Sequence, residues 1–213
     1  NETEMNSGLG AIDNFSENEW ADYDLRYILE VYDVDRSLDE PIKAREIKTV
    51  EEYSEVTFET RLIPNRNYRF VVWADFVLNG TQDDLHYNTG NYLTAITRNE
   101  VVAMHECQDA YFIQEDVRID GTGISKSLEL KRPFGKIRVI TTDYNEVNFG
   151  SEPAWVNVTF YNHQIYESLN AVTGEASGEA LASYTYSYDV SKGAPYTLGY
   201  DSDEKNMTLF ADY

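Results

Sequence analysis

An alternation of apolar and polar side chains near the amino terminus, broken only by Ile28, constrains the fold of this 213-residue chain more than any other feature. Within residues 24–32, every second position is apolar: Leu25, Tyr27, Leu29 and Val31. A period of two is typical of a β-strand that has one face in the core and the other in water. We therefore predict a strand over residues 24–32, with Arg26 and Glu30 on its solvated face.

The same pattern recurs along the chain. Residues 55–62 alternate in the same way, and residues 68–78 are apolar on both faces around Val71–Trp73, which predicts a central strand. Two short helical turns are predicted at residues 97–105 and 177–183. Many short strands and few helices favour an all-β fold built from antiparallel β-sandwiches. Further strands are predicted at residues 111–113, 127–130, 136–142, 155–161, 183–190, 196–200 and 207–213.

Composition limits the classes of partner. The chain has 17 Lys and Arg against 38 Asp and Glu, a formal net charge of −21. Nucleic-acid binding depends on clustered Lys and Arg, so we expect no nucleic-acid partner, and adhesion to an anionic bilayer is disfavoured for the same reason. With 42% hydrophobic and 14% aromatic residues, the chain has enough apolar side chains to fold despite its charge.

Two domains are predicted, with a boundary near Arg132 and Pro133. Proline has no N–H to donate to a β-ladder, so Pro133 is expected to interrupt the strands. The prediction is an N-terminal β-sandwich at residues 1–131 and a partial C-terminal β-sandwich at residues 132–213. The strand pattern continues to the last residues, and the chain lacks an initiator Met. We therefore expect a processed or trimmed form.

Six strings, taken together with their order and spacing, are similar to one known family: residues 23–32, 57–62, 68–77, 85–89, 108–112 and 128–136. They resemble a poorly characterised branch of the Bacteroidales-type fimbrillins, the shaft, tip and anchor proteins of surface pili. The resemblance covers residues 20–145 well and the remainder weakly. It implies two transthyretin-like β-sandwich domains, exported as a lipoprotein to the outer membrane and cell surface. It also implies partners, namely other pilus subunits and a host or bacterial surface receptor.

The function expected from this resemblance is a structural or adhesive pilus subunit, not an enzyme, that assembles by β-strand donation. Strand donation needs an exposed sheet edge, where main-chain hydrogen bonds give affinity. We expect the strand at residues 24–32 to lack a neighbour and to provide that edge. The residues expected beside the partner-strand groove are Leu25, Tyr27, Leu29 and Val31.

A second hypothesis is a surface carbohydrate-binding protein. The period of two places three rings on one face of a strand: Tyr184, Tyr186 and Tyr188. If exposed, these rings could stack on sugars; if buried, they would pack a sandwich with their hydroxyl groups at its rim. Packing is favoured because the intervening residues are all polar.

Enzymatic and metal chemistry find little support in the sequence. His105 and Cys107 lie two residues apart, but no nearby His or Cys completes a zinc site or a nucleophilic triad. Cys107 is therefore predicted to be a small, buried, non-catalytic residue. The acidic run 33–40 departs from a calcium loop at its sixth and twelfth positions, Leu38 and Ala44, and favours a turn, as does the run 201–204; weak calcium binding is the alternative at both. No cofactor is expected, and a carboxylate hydrolase ranks lowest among the hypotheses.

Overall fold

The computed structural model describes residues 22–51, 54–99, 106–141, 155–189 and 207–212. Within these ranges the protein is all-β, which confirms the predicted fold class, and the only helical element is a single 3-10 turn at Glu106–Gln108. No helix in this part of the chain has the length and apolar character needed to span a membrane. The strands are β1 Tyr23–Asp33, β2 Glu46–Val50, β3 Arg66–Leu78, β4 Tyr87–Asn88, β5 Ile96–Arg98, β6 Ala110–Ile119, β7 Ile137–Thr141, β8 Trp155–Asn170, β9 Glu175–Asp189 and β10 Met207–Asp212.

Sheet A contains the most apolar strands, in the order β2-β1-β3-β6, and all its pairs are antiparallel. The strand β3 is central, as its apolar run predicts, and Val71, Val72 and Trp73 are all buried. The strand β1 also has neighbours on both sides, because it pairs with β2 over residues 25–29 and with β3 along its whole length. Sheet A therefore presents two buried faces, one on each side of β1 and β3.

The polar face of β1 is buried, so the predicted solvated face is wrong. Arg26 and Glu30 are almost inaccessible, and Ile28 lies fully buried between them. Residues 80–98 cover this side, and Gln82, Asp84 and Leu93 form hydrogen bonds with the buried charges. A period of two separates the faces of a strand, but it does not show whether the polar face meets water or a buried ion-pair network.

Sheet B has the order β4-β5-β8-β9 and combines strands from both sides of the predicted domain boundary. Its link is the pairing of Ile96 and Thr97 on β5 with Leu169 and Ser168 on β8. The strands β8 and β9 form a long hairpin, and β7 and β10 form a separate two-stranded sheet C. The division at residues 131 and 132 stays a prediction, although backbone hydrogen bonds connect the two sides.

Most predicted strands are present, and the differences have physical causes. Residues 55–62 and 127–130 are extended but belong to no ladder, because side-chain alternation does not supply a hydrogen-bonding neighbour. Residues 177–183 lie in β9 and not in a helical turn, because they pair with β8 across the hairpin. Of the other predicted turn, residues 97 and 98 belong to β5 and residues 100–105 lie outside the described ranges, as do residues 196–200.

Candidate functional site

The four residues predicted beside the partner-strand groove lie on one face of sheet A, which we call the apolar face. Leu25, Leu29 and Val31 are buried there, and Tyr27 is half-buried. Burial raises the pKa of the Tyr27 hydroxyl above its ordinary value. The predicted open edge at these residues is wrong over residues 25–29, because β2 already occupies it.

Two segments with the alternating burial of extended chain, residues 54–63 and 127–130, lie over the apolar face, and we call them the cover segments. In the first cover segment exposure alternates from residue to residue, with Phe58 and Leu62 directed inward. The second contributes Leu128 and Leu130 in the same manner. The apolar face is therefore covered by strand-like chain, as in the second layer of a β-sandwich.

The cover segments belong to no sheet among the described residues. Within the described part of the chain, neither segment makes a backbone–backbone hydrogen bond. Side chains of the neighbouring strand hold the first segment: Lys48 Nζ donates to the Thr57 carbonyl at 2.6 Å and lies 5.4 Å from the centre of the Phe58 ring. Backbone polar groups normally find partners in a ladder, and the N–H groups of these segments have no backbone partner among the described residues.

An ion-pair network fills the opposite, polar face of sheet A. Arg26 donates from Nε and Nη2 to the two oxygens of Asp75 at 2.9 and 2.7 Å, and the two side chains are 2% and 0% exposed. Its Nη1 donates to Asp84 at 2.9 Å and to the Gln82 carbonyl at 2.8 Å. Burial raises the pKa of Asp75 above its ordinary value, by more than the adjacent guanidinium lowers it. Arg26 thus joins the loop after β3, through Gln82 and Asp84, to the sheet.

The network continues through Thr89 to a second buried carboxylate. The Thr89 N–H donates to Asp84 at 2.8 Å, and the Thr89 hydroxyl oxygen accepts from Arg45 at 3.1 Å. Arg45 in turn donates twice to one oxygen of Glu30, at 2.9 and 2.7 Å. The other Glu30 oxygen accepts from two donors: the Leu93 N–H and the Tyr32 hydroxyl. Asp75, Asp84 and Glu30 each accept hydrogen bonds in this network, which therefore ties β1 to the residues that cover its polar face.

A third buried carboxylate lies beside Cys107. Arg132 donates to both oxygens of Asp109 at 2.7 and 2.5 Å, and the Tyr111 hydroxyl donates to the same carboxylate at 2.8 Å. Burial raises the pKa of Asp109 above its ordinary value. Cys107 is buried in the adjoining apolar cluster, which confirms that part of its prediction. His105 lies outside the described residues.

The acidic turn after β1 is held by protein groups. Asp33 accepts from Arg66 at 2.7 Å, and Asp35 accepts from the backbone and side-chain amides of Asn67 at 3.1 Å. Within the described ranges, no group of three or more His, Cys, Asp or Glu residues is placed to hold a metal ion. The second acidic run, residues 201–204, lies outside those ranges. The turn at residues 33–37 therefore has a structural explanation.

Two side chains of the tyrosine stripe, Tyr184 and Tyr186, are half-buried, between the two states that the sequence left open. Tyr184 and Tyr186 lie on one face of β9, with their ring centres 5.3 Å apart in an edge-on arrangement. Phe160 of β8 stacks on Tyr184 at 4.8 Å. The side chain of Tyr188 lies outside the described part. Tyr184 thus belongs to an aromatic cluster shared by both strands of the hairpin.

The comparisons with known proteins identify a family for this chain, and the function of that family is unknown. No curated protein and no solved structure matches it, so the resemblance to fimbrillins stays a prediction. A family model matches residues 2–213, which is nearly the whole chain. The protein therefore belongs to a family of unknown function, DUF6562.

Proposed function

We propose that this protein is a non-enzymatic structural or adhesive subunit of a cell-surface pilus and joins neighbouring subunits by β-strand addition. The observation that carries the proposal is the pair of cover segments, which are extended, pack on a sheet and make no backbone hydrogen bonds within the described chain. The resemblance to fimbrillins supports the same role. It also supports export as a lipoprotein precursor to the outer membrane.

Strand addition is the natural use of such a segment. A new strand beside the first cover segment would pair with N–H and C=O groups that have no ladder partner among the residues that the structure describes. The outward side chain of Glu59 is exposed and polar, whereas the inward Phe58 and Leu62 pack on the apolar face. The incoming strand must alternate in the same way, because its inward side chains would contact half-buried Phe70 and Ile113. The acceptor is thus a cover segment and not β1.

The net charge of −21 sets the conditions for assembly. Like-charged subunits repel one another over distances of the order of the Debye length, about 8 Å at physiological ionic strength. Repulsion keeps the subunits dispersed until a strand is correctly aligned for pairing. Assembly should therefore increase with salt concentration over the range in which the fold is stable.

Proline substitutions test the acceptor directly. Neighbouring N–H groups of an extended chain point to opposite sides, so Glu59→Pro and Thr60→Pro together remove one donor from each side of the first cover segment. Neither N–H makes a backbone hydrogen bond with another residue that the structure describes, so we expect the fold to tolerate both changes. The alanine variants Glu59→Ala and Thr60→Ala are matched controls, since Thr60→Ala also removes the bond from Lys43 to the Thr60 hydroxyl.

Light scattering on a sizing column and negative-stain electron microscopy would measure assembly at increasing salt concentration. One proline variant should stay monomeric with a native far-ultraviolet circular dichroism spectrum, while its alanine control assembles. Assembly of both proline variants at the native level would exclude this segment as the acceptor. Immunogold labelling of producing cells tests the pilus role separately, and gold that lies on no filament would contradict it.

A further inference from the structure

A cleft of about 530 Å³ opens where β5, β8 and residues 133–137 meet. Its deeper walls are the buried side chains of Trp73, Tyr87 and Ile96, and its outer walls include the more exposed Phe160 and Tyr184. The volume lies in the range of small-molecule sites, about 300–1,000 Å³. The lining shares no residue with the ion-pair network or the cover segments.

Two stacked ring pairs from different elements line this cleft. Tyr87 and Phe134 stack at 6.2 Å with 13° between their planes, and Trp73 meets Tyr87 edge-on at 5.3 Å. On the hairpin side, Phe160 and Tyr184 stack at 4.8 Å with 25° between their planes. Aromatic rings therefore line both sides of the cleft.

A β-bulge places two of the rings on the same side of β8. Tyr161 and Asn162 together oppose the single residue Ser183, and Asn162 has a φ of 45°, a left-handed conformation that Asn tolerates better than most residues. The extra residue reverses the alternation, so Phe160 and His163 lie side by side with their rings 5.8 Å apart. Without the bulge, His163 would point to the opposite face, because residues three apart on a regular strand do so.

The polar residues that line the cleft offer both hydrogen-bond donors and acceptors, and their formal charges sum to zero. Thr97, Gln164 and Ser168 supply hydroxyl and amide groups, in addition to the hydroxyl groups of the lining tyrosines. Among the lining residues, Arg98 and Glu167 are the only ones of the Lys, Arg, Asp and Glu types, so their formal charges cancel. In a chain of net charge −21, such a lining disfavours a polyanion or a phosphate ester and suits an uncharged ligand with many hydroxyl groups.

We propose that this cleft binds a neutral sugar ring, as a free saccharide or as one unit of a glycan. A pyranose has a C–H face that packs on aromatic rings and a rim of hydroxyl groups that needs donors and acceptors, and the cleft supplies both. This extends the sequence hypothesis of sugar stacking at Tyr184 from an exposed stripe to a concave site. The inference stands independently of strand addition, because the two surfaces share no residue.

Saturation-transfer NMR on the purified full chain tests this inference with a set of neutral probes: methyl glucoside, methyl galactoside, methyl mannoside and N-acetylglucosamine at millimolar concentration. Irradiation of the protein should transfer saturation to the ring C–H protons of at least one probe. The variants Phe160→Leu and Tyr184→Leu keep an apolar side chain but remove the flat ring. Each should weaken binding of that probe about two- to tenfold.

Tyr161→Leu is the matched control, because Tyr161 lies on the same strand, is 79% exposed and does not line the cleft. Its affinity should equal that of the native chain. If the leucine variants at positions 160 and 184 lose their fold, the exposed residue Gln164 gives a milder test through Gln164→Ala, which should also weaken binding. Absence of transfer to every probe, or equal transfer in native and cleft variants, would overturn the inference.

Discussion

Replacing Arg26 by methionine should lower the free energy of unfolding by about 3–5 kcal/mol, because it leaves the carboxylate of Asp75 buried without its cation. The structure gives Asp75 two hydrogen bonds from Arg26, at 2.9 and 2.7 Å, and no exposed surface. A hydrogen bond to a charged group is worth about 1.5–3 kcal/mol, so two such bonds give a similar sum. Asp84→Asn should cost only about 1 kcal/mol or less, because Asp84 is 29% exposed and water can replace its partner.

The pH dependence of this loss provides a second test. Burial already raises the folded-state pKa of Asp75, and removal of Arg26 should raise it further. Between the unfolded pKa, about 4, and the raised folded value, the folded variant then binds the proton more tightly than the unfolded chain does. The stability of the variant should therefore increase as the pH falls. The difference from the native protein should be larger near pH ~8 than near pH ~5.

Urea unfolding followed by circular dichroism would measure both effects, with an unchanged m value showing that only stability has moved. The double variant Arg26→Met/Asp75→Leu removes both charges and should regain most of the lost stability, since buried ion pairs can often be replaced by apolar side chains. A loss for Arg26→Met below about 1 kcal/mol at neutral pH would refute the reasoning, because it would mean that water solvates Asp75.

Three further substitutions test separate features. Cys107→Ala should cost about 1 kcal/mol in urea unfolding, and the buried native thiol should react slowly with a thiol reagent; fast modification would contradict its burial. Hydrogen bonds from Arg69 lower the pKa of Asp116, so this pair stabilises the fold above pH ~4, and that stabilisation is lost as the pH falls through the lowered pKa. In Asp116→Asn the free energy of unfolding should therefore fall less steeply in acid than in the native chain. An unchanged acid dependence would exclude the pair as its source. Gly178→Ala should lower the melting temperature more than Gly80→Ala. Both glycines have φ near 73–74°, but only at Gly178 would a Cβ lie 3.0 Å from a facing side chain, that of Glu167 on β8. Equal shifts in melting temperature would refute the steric argument.

The strands of sheet A could be predicted because alternation is a local property of the sequence. The pattern at residues 24–32 and the apolar run at Val71–Trp73 each encode their own strand. The environment of the polar face could not be predicted, because the partner of Arg26 lies 49 residues away in the chain. Charged residues at alternate positions of an apolar strand were the one available signal of a buried network.

The candidate surfaces were only partly predictable. The grouping of Leu25 and Leu29 on one face follows from the period of two, but the cover segments above them depend on tertiary packing. The stripe containing Tyr184 was visible in the sequence, whereas its contact with Phe160 depends on the register of the hairpin. The bulge at Asn162 has no strong local signal, since Asn occurs in regular strands, turns and bulges alike.

The first cover segment has no ladder partner among the described residues, which has a consequence for digestion by proteases. Proteases bind their substrates as extended strands, and cleavage inside a sheet first requires local unfolding. Arg61 is exposed and belongs to no ladder within the described part of the chain, so we expect trypsin to reach it in the native fold. A strand added to this segment would shield the same peptide bond. The rate of cleavage after Arg61 would then measure the fraction of subunits whose first cover segment has received a strand.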